Sequence, residues 1–477
     1  MQEDTLALLP EMLLLAGAIV ALLAGSFLPR HRQWVATLLA AVAVGASGLA
    51  ALAAAGGAAR TIYESSYAVD VATTATRIIV AIAALLSLAL ARPRITGSPR
   101  ETEFAVLVLL ASLGTVVLAG AAELLVLAVG YLLASIPLYA LAGWGRDARG
   151  AEAALKLYLL GALLGITMLL GIAVLFGVGG GTTYAALAAG LPGAPAAAVA
   201  LGVVATLAGL LFKIGAVPAH FWVPDAVDGA TTPAAAFLTT VPKIGGLVAA
   251  YRLLVTVPDT VVDWRLLVAL LAVASITLGN LAAFTQDRPR RLLAYSTVSQ
   301  VGYLLMAVAV AGRSEQALAA LLFYLAAYAV TNLGAFAVVG ALPQHDTLDA
   351  YRGLGRRRPA LIGALLVCLL GLVGTPPTAV FVGKLTVFSA TWDGGMQWLV
   401  VVAAINTVAS LYYYLRWLAP AFARETASAA TGSDGPGGTA VLAAIDTRWA
   451  TATALVAAVL ALALGIAAGP LLEGFAP

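Results

Sequence analysis

The chain has 477 residues, 62% of them hydrophobic and 10% charged, with a net charge of +3 and one cysteine. A soluble domain carries about 25% charged residues, so only a bilayer can hide this much apolar surface. The same figures exclude a disulfide framework within the chain and a Cys/His metal site, and nothing in them resembles a surface that binds nucleic acid.

Apolar runs recur from end to end, each long enough to cross ~30 Å of hydrocarbon as a helix. They are continuous rather than alternating, which argues for helices and against a β-barrel. The expected fold is therefore an all-α membrane protein with about 14 transmembrane helices. The predicted spans are 5–27, 34–55, 70–91, 103–119, 121–142, 154–177, 196–217, 231–254, 264–285, 292–311, 316–341, 360–389, 396–418 and 449–470. The first follows Glu3 and Asp4 with no basic residue before it, and reads as a retained span rather than a cleaved signal peptide. The "GVGGG" at 177–181 falls in a loop and reads as a turn, not a nucleotide-binding pattern. The segment 425–447 is flexible by composition.

Loop charges orient this bundle. With the N-terminus outside, the loops predicted to be cytoplasmic hold Arg30 and Arg32, Arg92, Arg94 and Arg100, Arg146 and Arg149, Arg288, Arg290 and Arg291, and Arg352 with Arg356, Arg357 and Arg358. The opposite loops hold Arg60, Arg252, Arg265 and Arg313, mostly beside acids. That bias is the positive-inside pattern. One inside loop breaks it: 218–230 carries Asp225 and Asp228 and no basic residue, which suggests that it dips into the protein.

Only four of the 26 basic side chains are lysines, Lys156, Lys213, Lys243 and Lys384, and each lies in or at the edge of a span. Lysine gives up its proton readily on burial, whereas arginine stays charged. Buried titratable amines are what a proton path needs, and ionisable residues inside a membrane are functional hypotheses by default. Lys156 stands four residues after Glu152, in register for an ion pair as well. Lys213 is near enough to a span end to snorkel, whereas Lys243 and Lys384 are not. Pro218 follows Lys213 by five residues, and Pro376 and Pro377 lie inside the run that ends in Lys384. Interior prolines break the helical ladder and free carbonyls, and broken helices beside polar groups mark ion sites in transporters. Two such breaks about five spans apart suggest a duplication of spans 4–8 and 9–13. His220, just after Pro218, is either a hydrogen-bonded structural group or a relay. Tyr295, Ser296, Ser299 and Gln300 form a polar stripe that either lines a water path or bonds helices together.

The segments "EAALKLYLLGALL", "GLLFKIGAVPAHFWVPD", "RLLAYSTVSQVGYLLMA", "ALLFYLAAYAVTNLGAFAVV", "LDAYRGLGRRRPAL" and "GTPPTAVFVGK" resemble the antiporter-like membrane subunits of respiratory complex I. The N-terminal "ALLPEMLLLAG" and the length are most similar to its subunit N branch, and the long lateral helix of another branch is lacking. The resemblance implies two inverted five-helix repeats, spans 4–8 and 9–13, with broken helices at spans 7 and 12. Its domain plan is three N-terminal helices over 1–92, repeats over 103–254 and 264–418, and a last helix over 449–470. It further implies proton movement along buried lysines, driven by quinone reduction elsewhere in the complex. By position, Lys213, Lys243 and Lys384 match the lysines of spans 7, 8 and 12, Lys156 that at the start of span 6, and His220 the histidine after the first break. The implied partners are the other membrane and peripheral subunits and the lipid bilayer of a bacterial plasma membrane, with no nucleic acid. No cofactor is implied on this chain; NADH, FMN, iron–sulfur clusters and quinone belong to other subunits.

One departure stands out. The family has a glutamate in span 5, where this chain reads "GYLLASIPLY" (130–139) with Leu132 at that position. Glu123 lies nine residues earlier, about 13 Å along a helix. Lys213 thus loses a nearby anion, which predicts a weakened first half-channel that Leu132→Glu would restore. Other readings are a subunit of a multi-subunit cation/proton antiporter or membrane-bound hydrogenase, or a non-pumping structural paralogue.

Overall fold

The structure, a computed structural model, describes residues 5–424 and 447–475. The flexible segment read at 425–447 falls outside the described residues except for Thr447. The chain is built almost wholly of helices, as expected. In order they are α1 (Leu9–Phe27), α2 (Trp34–Ala53), α3 (Val71–Ile95), α4 (Glu101–Gly120), α5 (Leu124–Leu133), α6 (Ile136–Ala142), α7 (Ala148–Gly179), α8 (Tyr184–Gly190), α9 (Ala196–Ile214) and α10 (Trp222–Gly229). There follow α11 (Thr232–Thr256), α12 (Trp264–Phe284), α13 (Pro289–Ala309), α14 (Ala317–Ala341), α15 (Leu354–Arg357), α16 (Pro359–Val373), α17 (Ala379–Asp393), α18 (Gln397–Phe422), α19 (Arg448–Ile466) and α20 (Ala468–Gly474). A small antiparallel hairpin, β1 (Arg60–Ile62) with β2 (Tyr67–Val69), joins α2 to α3.

Among the described residues, thirteen segments are long and apolar enough to cross a membrane as one stretch. The one expected as span 12 is two shorter helices, α16 and α17, of 15 residues each. Breaks were expected in spans 7 and 12, and both are present. The first separates α9 from α10 and contains the cis bond Val217–Pro218; the second separates α16 from α17 and contains the cis bond Pro376–Pro377. A third break was not foreseen. Span 5 is divided at Ala134–Ser135, between α5 and α6, where Pro137 enters the first turn of α6 without needing a backbone N–H partner.

The helices sort into an inner and an outer set. α11, α13 and α14 are buried on nearly every face and pack against one another. Helices α1, α7 and α18 turn apolar side chains outward, such as Leu15, Ile19, Leu163, Ile166, Ile405 and Val408. That is how a chain whose solvent is lipid distributes its hydrophobic residues, since lipid tails are as apolar as leucine.

The arginine-bearing loops gather on one face. Arg100 reaches the Trp144 carbonyl, Arg92 lies over the Trp449 ring, Arg416 reaches the carbonyls of Phe284 and Gln286, and the Leu348 amide donates to the Asp287 carbonyl. The 218–230 loop, the exception to the charge rule, is folded inward as expected. Trp222, Val223, Ala226 and Val227 of α10 are buried. Its acids are answered by arginines of the next loop on the same face, Asp228 by Arg288 at 2.6 Å and Asp225 by Arg291 at 3.6 Å. On the opposite face Arg252 is paired with Asp70, and Asp259 with Arg265 and Arg313. Those two guanidiniums hold the Asp259 carboxyl below its usual range. A buried bidentate pair between Arg77 and Glu11, at 2.8 and 2.9 Å, ties α3 to α1.

Candidate functional site

Three of the four lysines are buried in the middle of the bundle, and each sits at a helix break. The last four carbonyls of an α-helix have no partner within it. Where a helix ends at membrane depth, those oxygens must be met by something other than water. The Lys384 amine donates to the Val373 carbonyl at 2.9 Å and to the Leu372 carbonyl at 3.3 Å, the last two of α16. The Lys243 amine donates to the carbonyl of Ile214, the last of α9. An ammonium at a helix C-terminus also faces the negative end of the helix dipole. Each of these two breaks turns on a glycine in the left-handed region, Gly215 at φ +75° and Gly374 at φ +93°. A methyl on Gly215 would meet the Lys243 amine at 2.9 Å, and one on Gly374 would meet Lys384 Cδ at 3.0 Å. In both places the turn and the lysine share one small space.

Lys213 is held differently. Its amine donates to the hydroxyl of Ser135, at the unforeseen break of span 5, and lies 4.6 Å from the centre of the Tyr131 ring. Ser135 in turn donates to the Tyr131 carbonyl at 2.6 Å. Lys384 has a comparable aromatic neighbour, Tyr303, at 4.1 Å. No carboxylate pairs with any of the three buried lysines among the described residues. Leu132, the position matched to the family's glutamate, is 42% exposed on the outer surface of α5. The span 5 residues that meet Lys213 are Tyr131 and Ser135. Glu123 is on the opposite face, bonded to Thr182.

Lys156 does not join the buried row. Its side chain is 44% exposed and bridges Glu152 and Asp225, each at 2.7 Å. The i,i+4 pair anticipated from the sequence is present, and a second acid from α10 completes it. His220 is half-buried after the first break, stacked on Phe221 at 4.5 Å. Its Nδ1 has no hydrogen-bond partner among the described residues.

Between Lys243 and Lys384 runs a line of buried hydrogen-bonding groups, some of them hydroxyls that can pass a proton on. Thr239 and Thr240 stand one turn before Lys243 on α11. Asn332 donates to their hydroxyls at 3.0 and 2.9 Å. The Tyr328 hydroxyl lies 2.9 Å from the Thr239 carbonyl and 3.1 Å from the Thr297 hydroxyl. One turn along α14, Tyr324 donates to Gln300 at 2.5 Å. Gln300 donates to the Leu372 carbonyl at 2.8 Å, the same oxygen that accepts from Lys384. Gln300 belongs to the polar stripe that the sequence marks on α13. Tyr324, Tyr328 and Asn332 escape that reading, although their spacing of four residues in a mostly apolar helix marks one polar face.

A family model described as "NADH:quinone oxidoreductase/Mrp antiporter, TM" matches residues 121–410. The NADH-quinone oxidoreductase subunit N 1 of Streptomyces griseus is 54% identical over 474 residues, covering 99% of this chain and 98% of that one. The NADH-quinone oxidoreductase subunit N of Mycobacterium sp. (strain JLS) is 54% identical over 461 residues, 96% of each chain. Among solved structures, a chain of respiratory complex I from Thermus thermophilus superposes with a TM-score of 0.81 at 34% identity, covering 98% of this chain and 99% of that one. A chain of the Mrp complex from Dietzia sp. superposes with a TM-score of 0.84 at 23% identity, covering 100% of this chain and 97% of that one, a likeness of fold alone.

Proposed function

Because the chain belongs to the NADH:quinone oxidoreductase/Mrp antiporter membrane family, and within it to the subunit N relatives, we propose that it translocates protons as a membrane subunit of complex I. Electron transfer from NADH to quinone, with the FMN and iron–sulfur clusters it needs, takes place on other subunits. The arginine-rich face is cytoplasmic and the N-terminus lies on the outer side of a bacterial plasma membrane. Residues 103–254 and 264–418 act as two inverted repeats, and each contributes one break whose carbonyls seat a lysine, Ile214 for Lys243 and Val373 for Lys384.

The observation that carries this reading is the seating of Lys243 and Lys384 on carbonyls freed by a helix break. A neutral oxygen accepts from the ammonium but does not lock it as a carboxylate would, so the amine can lose its proton where it stands. Protons enter near Lys213, pass to Lys243, cross the Thr239–Tyr328–Gln300 line and reach Lys384. Like charges on neighbouring amines repel strongly in a low dielectric, which favours alternate occupancy and gives the path its stepwise character. Lys156 and Asp225 at the arginine-rich face, and His220 beside the first break, serve the entry. The experiment is to replace Lys243 or Lys384 by methionine in the assembled complex and measure protons moved per NADH oxidised. A lowered yield supports the reading; an unchanged yield in both variants overturns it.

A further inference from the structure

A second set of buried polar groups lies outside the line just described. At the arginine-rich face, the rings of His345 and Tyr351 meet at 5.7 Å, and those of Tyr351 and Trp417 meet edge-on at 5.5 Å. Tyr351 and Trp417 are fully buried. Yet the Tyr351 hydroxyl, the Trp417 indole N–H and His345 Nδ1 have no hydrogen-bond partner among the described residues. Buried polar groups are almost always satisfied, by protein or by ordered water. Three of them in sequence along one seam is a pattern that water resolves and dry packing does not.

The seam continues inward. Trp417, Tyr414 and Tyr413 share the inner face of α18, within one turn of each other. The hydroxyls of Tyr414 and Ser296 share a hydrogen bond of 2.5 Å, and Tyr413 and Ser299 both donate to the side-chain Oδ1 of Asn280, at 3.0 and 2.9 Å. One turn along α13 from Ser296 stands Gln300, bonded to the carbonyl that Lys384 also uses. Counting from the arginine-rich end of α13, Ser296 and Gln300 lie about 10 and 16 Å deep at the rise of an α-helix.

We propose that this seam is a hydrated lane that brings protons from the arginine-rich face to Lys384, from His345 past Tyr351 and Trp417 to Tyr414, Ser296 and Gln300. It gives the second half of the molecule its own supply on that face, in addition to the route through Lys213. Along it each hydroxyl or water accepts one proton as it releases another and stays neutral, while His345 becomes a transient imidazolium and returns to neutral by giving a proton to the first water of the lane. His345 takes up the proton at the mouth. The proposal rests on reading Lys384 as a proton site.

The test uses the whole complex in inverted membrane vesicles. Tyr351→Phe and Tyr414→Phe each remove one oxygen and keep the ring, so packing is preserved. Protons moved per NADH oxidised are compared with Lys384→Met as the reference. The expected result is a loss in each tyrosine variant within twofold of the loss in Lys384→Met. That loss narrows as the pH on the arginine-rich side is raised and His345 loads the lane of the unaltered complex less often, which a packing defect would not do. A high-resolution map of the unaltered complex shows water density between the Tyr351 hydroxyl and the Trp417 N–H. Full proton yield in both tyrosine variants, with a lowered yield in Lys384→Met, overturns the lane and leaves the reading of Lys384 intact. A dry contact between Tyr351 and Trp417 in that map also overturns the lane. Full yield in Lys384→Met overturns that reading and the lane with it.

Discussion

The two helix breaks use the same device but are finished differently. At the second, Lys384 holds two carbonyls, rests on Tyr303, and shares an acceptor with Gln300, which is bonded on to Tyr324. At the first, the work is split. Lys243 takes the one carbonyl of Ile214, while Lys213 turns away to a serine hydroxyl at the break of span 5. The second break is wired into the core through Gln300; the first is tied by the Val217 amide to the Ser275 hydroxyl and by the Trp222 indole to the Phe212 carbonyl, each at 3.0 Å, and opens beside the half-buried His220. A proton site needs an amine that is held in place without being held in one charge state. Neutral carbonyl and hydroxyl acceptors meet both needs, and the number of them sets how firmly each amine is placed.

Replacing Lys384 or Lys243 by methionine should break the comparison most severely, because both supplies meet at Lys384 and the route through Lys213 passes Lys243. Proton yield is expected to fall sharply in both. The melting temperature of the assembled complex should change little, since the roughly 2.5–3.5 kcal/mol regained by removing a charged amine from the membrane is offset by about 1–3 kcal/mol for each carbonyl left unmet. A thermal melt that dropped along with the yield would make these lysines structural. Ser135→Ala should follow in size. It removes a hydrogen bond to the Lys213 amine worth about 1.5–3 kcal/mol, and a yield equal to that of the unaltered complex would show that Lys213 needs no placing. Gly215→Ala and Gly374→Ala sharpen the likeness of the two breaks. Each forces a side chain into left-handed backbone, at about 1–2 kcal/mol, and crowds its lysine. Both are expected to lower the melting temperature, with Gly374→Ala having the larger effect on yield because Lys384 has more bonds to disturb. Leu132→Glu is expected to change proton yield little, since that position faces outward; a restored or raised yield would show that α5 turns inward in the working complex. Lys156→Met should have the smallest effect on stability, because exposed ion pairs contribute little. A melting point shifted by more than a degree or two would contradict it.

Much of this was legible in the sequence. Composition and run length called for a bundle of membrane helices, and the arginine loops do gather on one face. The prolines at 218 and 376–377 marked both lysine-bearing breaks, because a residue without an amide hydrogen cannot continue the helical ladder. The rarity of lysine against arginine singled out Lys213, Lys243 and Lys384. Sequence could not tell Lys156 from these, since a pattern of four residues fits an exposed helix as well as a buried one. It also placed Leu132 where the family's span 5 glutamate stands and so left Lys213 without a span 5 partner, whereas the break at Ala134–Ser135 brings Ser135 to the amine.

What the sequence determined by itself is set by local chemistry: which segments are apolar enough for lipid, where the helical ladder must break, and which side chains are out of place in hydrocarbon. What only the tertiary structure decided is which of those groups meet. Ser135 and Lys213 are 78 residues apart and Lys243 and Ile214 are 29 apart. The polar faces of α11, α13 and α14 form one line only because those three helices pack together at the centre. Hydrogen bonds reach about 3 Å, so the path depends on which helices are neighbours, and no local pattern in the chain states that.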